Sequence, residues 1–186
     1  MLNPNDFYVA NPSEFVIETI SLAYPDKALN KHTMVADQKT GKIAEYVFDK
    51  WCEYNWLTVR FKANDKGPVD FIIGDGKTFS IDVKAKRRTQ KVNLSYCDCH
   101  VEERQLAAEC NIYVFASYCE AENCCQLIGW IDKKTFMQVA RVYEAGEKDP
   151  DNFVNHADSR VIKGHELRPM AQLAKGVANM NRSAVG

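Results

Sequence analysis

The sequence predicts a mixed α/β domain, and three observations carry that expectation. A helical pattern begins near residue 40, a strand and a hairpin follow it, and helix-like and strand-like segments then alternate. In KIAEYVFDKWCEY, Ile43, Val47, Trp51 and Tyr54 recur at helical spacing, with Thr40 and Gly41 as starting residues. NWLTVRFK reads as a strand, and VDFIIGDGKTFSIDVKAK as a hairpin around Asp75-Gly76. HVEERQLAAECN reads as a helix. IYVFASY reads as a strand covered on both faces, QLIGWI as a further strand and KKTFMQVARVYEA as a helix. EAGEKDPDNFVNHADSR is polar and carries Pro and Gly, the mark of a loop, and the segment after Gly176 reads as a loose tail. Nearer the start, FVIETISLAY suits a short helix docked on the core.

With 186 residues, 46% of them hydrophobic, the chain is most economically one domain with a substantial core. A net charge of -1 neither favours nor excludes a polyanionic partner, so the placement of charge matters more than its sum. No basic-then-apolar leader opens the sequence, and no apolar run approaches the ~20 residues that span a bilayer. The expectation is a soluble cytoplasmic protein without a membrane partner. Seven cysteines in such a chain suit reduced thiols, and CDCH and CEAENCC do not have the spacing of zinc knuckles. His32, His100, His156 and His165 show no spacing that suggests a metal or base role.

The hairpin offers two registers. A two-residue turn at Asp75-Gly76 would pair Asp70 with Ile81 and mix the faces. A three-residue loop, Asp75 to Lys77, pairs Asp70 with Asp82, Phe71 with Ile81 and Ile73 with Phe79. A slip of one residue moves every side chain to the other face, so apolar matching selects the second register. One face then gathers Phe71, Ile73, Phe79, Ile81, Val83 and Ala85, and the other carries Asp70, Asp82, Lys84 and Lys86. Opposed carboxylates only ~5 Å apart repel, and two hard oxygen ligands converging on a point suit a divalent cation such as Mg2+.

With Glu45 on the preceding helix, these residues resemble the PD-(D/E)xK nuclease superfamily, in its Holliday-junction-resolvase-like branch. The matching elements are Pro68-Val69-Asp70, Asp82 twelve residues on, and Asp82-Val83-Lys84 as the D-x-K. The resemblance covers about residues 41–131, where the expected α-β-β-β-α-β order is that of the family core, and leaves a C-terminal helix and loop at 132–186. It departs from the plain motif in reading P-V-D. It implies a restriction-endonuclease-like core with a central mixed sheet of about five strands flanked by helices. It further implies a DNA endonuclease dependent on Mg2+ or Mn2+. Asp70 and Asp82 would hold the metal with the Val83 carbonyl, Glu45 directly or through water, and Lys84 would orient or help deprotonate the attacking water.

Lys84, Lys86, Arg87, Arg88 and Lys91 place five bases in eight positions. Beside a carboxylate pair, Lys86, Arg87, Arg88 and Lys91 are the candidates to grip DNA phosphates. Trp51, Trp56 and Trp130 are expected in the core, and Gln105 on a helix surface. No appended DNA-reading domain is recognisable, so substrate choice falls to loops, to a homodimer or to a partner protein. Two rival readings are a catalytically inactive nuclease-fold module for nucleic-acid binding or assembly, and an unrelated α/β domain with surface charges.

Overall fold

A computed structural model describes residues 9–10, 32–62, 69–75, 78–90, 93, 96–149 and 152–183. Strand β1 is Val9–Ala10, helix α1 is His32–Tyr54, β2 is Val59–Lys62, β3 is Phe71–Ile73 and β4 is Phe79–Arg88. Strand β5 (Asp98–Glu102) and a 3-10 turn (Glu103–Gln105) follow, then β6 (Ile112–Cys119), β7 (Cys124–Asp132), α2 (Lys133–Val139) and β8 (Arg141–Tyr143). Strand β9 (Ser159–Lys163), a second 3-10 turn (Gly164–Glu166) and α3 (Met170–Ser183) complete the described chain. The fold is α/β with a mixed central sheet. Its strand order is β1-β7-β6-β4-β3-β2, with β4 and β6 parallel and the other pairs antiparallel. A second, antiparallel sheet runs β5-β9-β8.

Helix α1 forms because its apolar residues recur with the helical period: Ile43, Ala44, Val47, Phe48, Trp51 and Cys52 are all buried. They pack with Phe71, Ile73, Ile81, Val83 and Val114 from one face of the main sheet. Met170, Leu173 and Val177 of α3 join the same cluster, so α1 and α3 cover one face. The other face packs Tyr113, Phe115, Ile128 and Ile131 against Cys99, Val101 and Ile162 of the second sheet and Phe136 of α2. Three layers result, and β4 lies inside them.

The hairpin has the expected register, with Phe71 opposite Ile81, Ile72 opposite Ser80 and Ile73 opposite Phe79. Its apolar face is buried against α1, as the alternation requires. None of the seven cysteines forms a disulfide, and all are buried. Among the described residues, no helix is long and apolar enough to cross a membrane.

Several elements depart from the sequence reading. Helix α1 begins at His32, well before Thr40, and Gly41 lies inside it where an added Cβ would meet nothing. The segment read as the helix HVEERQLAAECN is instead strand β5 followed by a single 3-10 turn that holds Gln105. His100, Val101 and Glu102 are taken into β5 by its five paired positions with β9, and tertiary pairing overrides the local helical pattern. The helix expected over 133–145 stops at Val139 and gives way to β8, and the expected loose tail is α3. Trp51 is buried and Trp130 packs on the core, but Trp56 is 93% exposed. It closes α1 at φ 55, with Leu57 N–H reaching back to the Cys52 carbonyl and Trp56 N–H to that of Glu53. That closure usually employs glycine, and here leaves the indole outside. The expected helix in FVIETISLAY lies outside the described residues.

Candidate active site

The site begins with the backbone of β4. Beyond Ile81 this strand runs past the end of β3, so its edge must find partners other than the β3 ladder. Asp70 supplies them. Its N–H donates to the Ile81 carbonyl at 3.0 Å, and its carboxylate Oδ2 accepts the Val83 N–H at 2.7 Å. The Asp70 side chain therefore lies against residues 81–83, beside Asp82. A strand residue directs its N–H and C=O to the same edge, so the Val83 carbonyl also turns toward Asp70.

Lys84 Nζ lies 2.9 Å from Asp82 Oδ2, with both side chains largely covered. Glu45, on α1, pairs with Lys42 at 2.8 Å. Burial raises the proton affinity of Asp70 to about 7, and the charges of Glu45 and then Asp82 add to it. The Val83 N–H and Lys84 oppose that rise. Glu45, Asp70 and Asp82 thus share one electrostatic environment in which the carboxylates outweigh the ammonium of Lys84.

The site extends toward β6. Tyr113 stands opposite Asp82 in the parallel register, and burial, followed by Cys110, pushes its hydroxyl up. Cys110 is raised by burial and then by Asp82. It also borders an open cleft of about 600 Å³ lined by Asn111, Asp132, Lys133 and Met137. Lys133 is engaged there, donating to the Leu106 and Ala108 carbonyls at 2.6 and 2.5 Å.

The basic run is not a continuous strip. Alternation along β4 sends Lys86 and Arg88 toward the second sheet and Arg87 to the opposite face. Arg88 donates to the Asp98 carbonyl at 2.7 Å, while exposed Arg87 lies 3.5 Å from Glu120. Lys86 Nζ sits 2.9 Å from His100 Nε2 and 3.9 Å from Asp149 Oδ2. Lys91 lies outside the described residues. His100 and Asp149 had no signal in the sequence, because only the tertiary fold brings β5 and the β8–β9 connection to Lys86.

Whether these residues suit a divalent ion turns on the donors. Among the described residues, no three His, Cys, Asp or Glu side chains close to ligating geometry in this arrangement. The donors themselves are hard oxygens, Asp70, Asp82 and the Val83 carbonyl, with Glu45 nearby. The crowding that lifts Asp70 is the kind a cation relieves, so the set fits Mg2+ or Mn2+ in chemistry. No family model, curated protein or solved structure matches this chain.

Proposed function

We propose that this protein is a divalent-metal-dependent DNA phosphodiesterase of the PD-(D/E)xK kind, acting as an endonuclease. The observation that carries the reading is the seating of Asp70 against residues 81–83 of β4, where Glu45 and Asp82 both raise its proton affinity and Lys84 lies 2.9 Å from Asp82. The reading rests on these side chains and not on element order, since the link from β4 to β6 lacks the helix of the family core.

Asp70, Asp82 and the Val83 carbonyl would hold Mg2+ or Mn2+, with Glu45 direct or through water. When bound, the ion polarises the phosphate and lowers the pKa of a ligated water. Lys84 orients the attacking water and offsets charge that grows on the phosphate oxygens. The Val83 N–H fixes one oxygen of Asp70, which keeps that carboxylate aimed at Asp82 rather than at solvent.

Supercoiled plasmid, together with duplex, single-stranded, nicked and branched DNA, incubated with Mg2+, Mn2+ or EDTA, tests the reading. Cleavage that needs the metal and disappears in Asp82→Asn is expected. Cleavage that survives in EDTA, or in Asp82→Asn, defeats it.

One observation favours a second reading. Lys84 pairs with Asp82 and the Val83 N–H bonds Asp70, which offset part of the crowding and let the cluster serve a structural role without chemistry. An inactive nucleic-acid-binding or assembly module would then retain DNA in the same assay and leave it intact under every metal.

A further inference from the structure

The charged face of β4 continues past Lys84. Lys86, two residues on, faces the same way, and its ammonium is held on several sides. His100 Nε2 lies 2.9 Å away, the Phe153 ring centroid 4.0 Å and Asp149 Oδ2 3.9 Å. His100 Nε2 is also 3.2 Å from Asp149 Oδ2, and its ring meets Phe153 edge-on. Asp149 is fixed in turn, its Oδ1 accepting the Phe153 N–H at 2.9 Å and its side chain having no exposed surface.

Burial, and then the charge of Lys86, lower the proton affinity of His100 to about 4, with Asp149 opposing and Arg88 assisting. The imidazole is therefore neutral near pH 7, and its Nε2 accepts from the Lys86 ammonium. The neighbouring charges are engaged elsewhere: Arg88 with the Asp98 carbonyl at 2.7 Å, and the Asp98 carboxylate with Lys163 at 2.7 Å. A lysine that merely grips phosphate works from a mobile stem as a solvated point charge. A lysine that must meet one developing charge needs to be held in place. Lys86 is held, yet its side chain keeps 22% of its exposure.

We propose that Lys86 is a second catalytic lysine, which protonates the leaving oxygen of the phosphodiester, and that His100, Asp149 and Phe153 position it. This rests on the hydrolase reading above. As the water oxygen bonds to phosphorus, the ester bond to the departing nucleoside breaks and its electron pair stays on that oxygen. Lys86 Nζ supplies the proton there and regains one from solvent, while the attacking water releases its proton to solvent on the Asp70 and Lys84 side. One water is consumed, and one phosphomonoester end and one hydroxyl end form. Lys84 and Lys86 lie ~6.6 Å apart along the strand, a separation that lets attack and departure flank one phosphorus.

The test compares DNA with thymidine 5′-(p-nitrophenyl phosphate), whose leaving group departs without a proton. Lys86→Ala and Lys86→Gln, both checked for cooperative unfolding, should cleave DNA about 10²–10⁴-fold more slowly. Both should hydrolyse the nitrophenyl ester nearly as fast as the parent. Lys86→Arg keeps the charge but holds its proton, so it should stay slow on DNA. His100→Gln should lower kcat on DNA, leave KM unchanged and spare the nitrophenyl ester. Equal slowing of both substrates, or rescue by Lys86→Arg, overturns the proton-donor role. A parent protein that cleaves neither substrate with Mg2+ or Mn2+ overturns the hydrolase reading itself, and this inference with it.

Discussion

At the Asp82 end of the charged face of β4, the Asp70, Asp82 and Glu45 carboxylates crowd one ammonium, and Asp70 is driven up to about 7. At the Lys86 end of the same strand, acids and bases alternate: Lys86, His100 and Asp149, then Arg88, Asp98 and Lys163. There, burial is relieved by pairing, and the group that shifts is a histidine driven down to about 4. The same alternation thus builds a frustrated cluster at one end and a satisfied one at the other. Buried like charges that stay unrelieved are expensive to keep, and proteins keep them mainly where a ligand or a reaction completes them. On the proposed function, that difference assigns the metal and the attacking water to the Asp82 end, and to the Lys86 end a lysine held rigidly by His100, Asp149 and Phe153.

Neutralising the frustrated end is the strongest way to break that contrast. Asp70→Asn and Asp82→Asn should remove detectable plasmid cleavage while leaving the fold cooperative. If either variant still cleaves at a rate near the parent's, the crowding has no catalytic meaning. Glu45→Gln, whose carboxylate is already paired with Lys42, should show a partial loss.

Lys84 comes next in size. As a water-orienting, charge-offsetting group, its removal should slow single-turnover cleavage by about 10²–10³, or about 3–4 kcal/mol. Metal affinity by calorimetry should hold or rise, since one nearby positive charge is gone. Lys84→Arg should also be impaired, because a planar fork replaces a compact ammonium. Near-normal cleavage by Lys84→Ala would leave Lys84 as the counter-ion of Asp82, with no part in the chemical step.

The two ends also differ in how much of them could be read from sequence. The Phe71–Ile81 register was legible because it depends on local alternation and a short loop, and the wrong register would have buried charge and exposed Phe71 and Ile81; Asp70 itself lies just beyond that ladder, its N–H bonded to the Ile81 carbonyl. The Lys86 end was not. His100 sits in a segment rich in Glu, Leu and Ala that reads as helix, and it becomes strand β5 only by pairing with β9. Its partner Asp149 belongs to a polar connection with no periodicity at all. Helix α3 was legible in principle, since Met170, Leu173 and Val177 recur at helical spacing and are buried, but Gly176 and the polar surroundings masked the pattern. The four bases from Lys86 to Lys91 looked like one patch because sequence shows adjacency, whereas a strand divides neighbours between faces.

The pH dependence of stability compares the two ends most directly. A carboxyl raised from 3.8 to about 7 keeps its proton in the fold while the unfolded chain loses it. Between pH 4 and 7, Asp70 therefore makes stability fall as pH rises, by roughly 4 kcal/mol in all. A histidine lowered from 6.5 to about 4 stays neutral in the fold while the unfolded chain is charged. Over nearly the same window, His100 makes stability rise with pH, by roughly 3 kcal/mol. In the parent the two slopes oppose each other, and each single variant should uncover the other's. Asp70→Asn should gain stability from pH 4.5 to 6.5 relative to the parent profile, and be the more stable protein at pH 7.5. His100→Gln should lose stability over the same interval, again relative to the parent. Urea midpoints at four pH values between 4.5 and 7.5 measure both, and subtracting the parent curve removes the contribution of every other carboxyl. Parallel curves for parent and Asp70→Asn would mean that Asp70 is not crowded. The frustrated end would then be no different from the satisfied one.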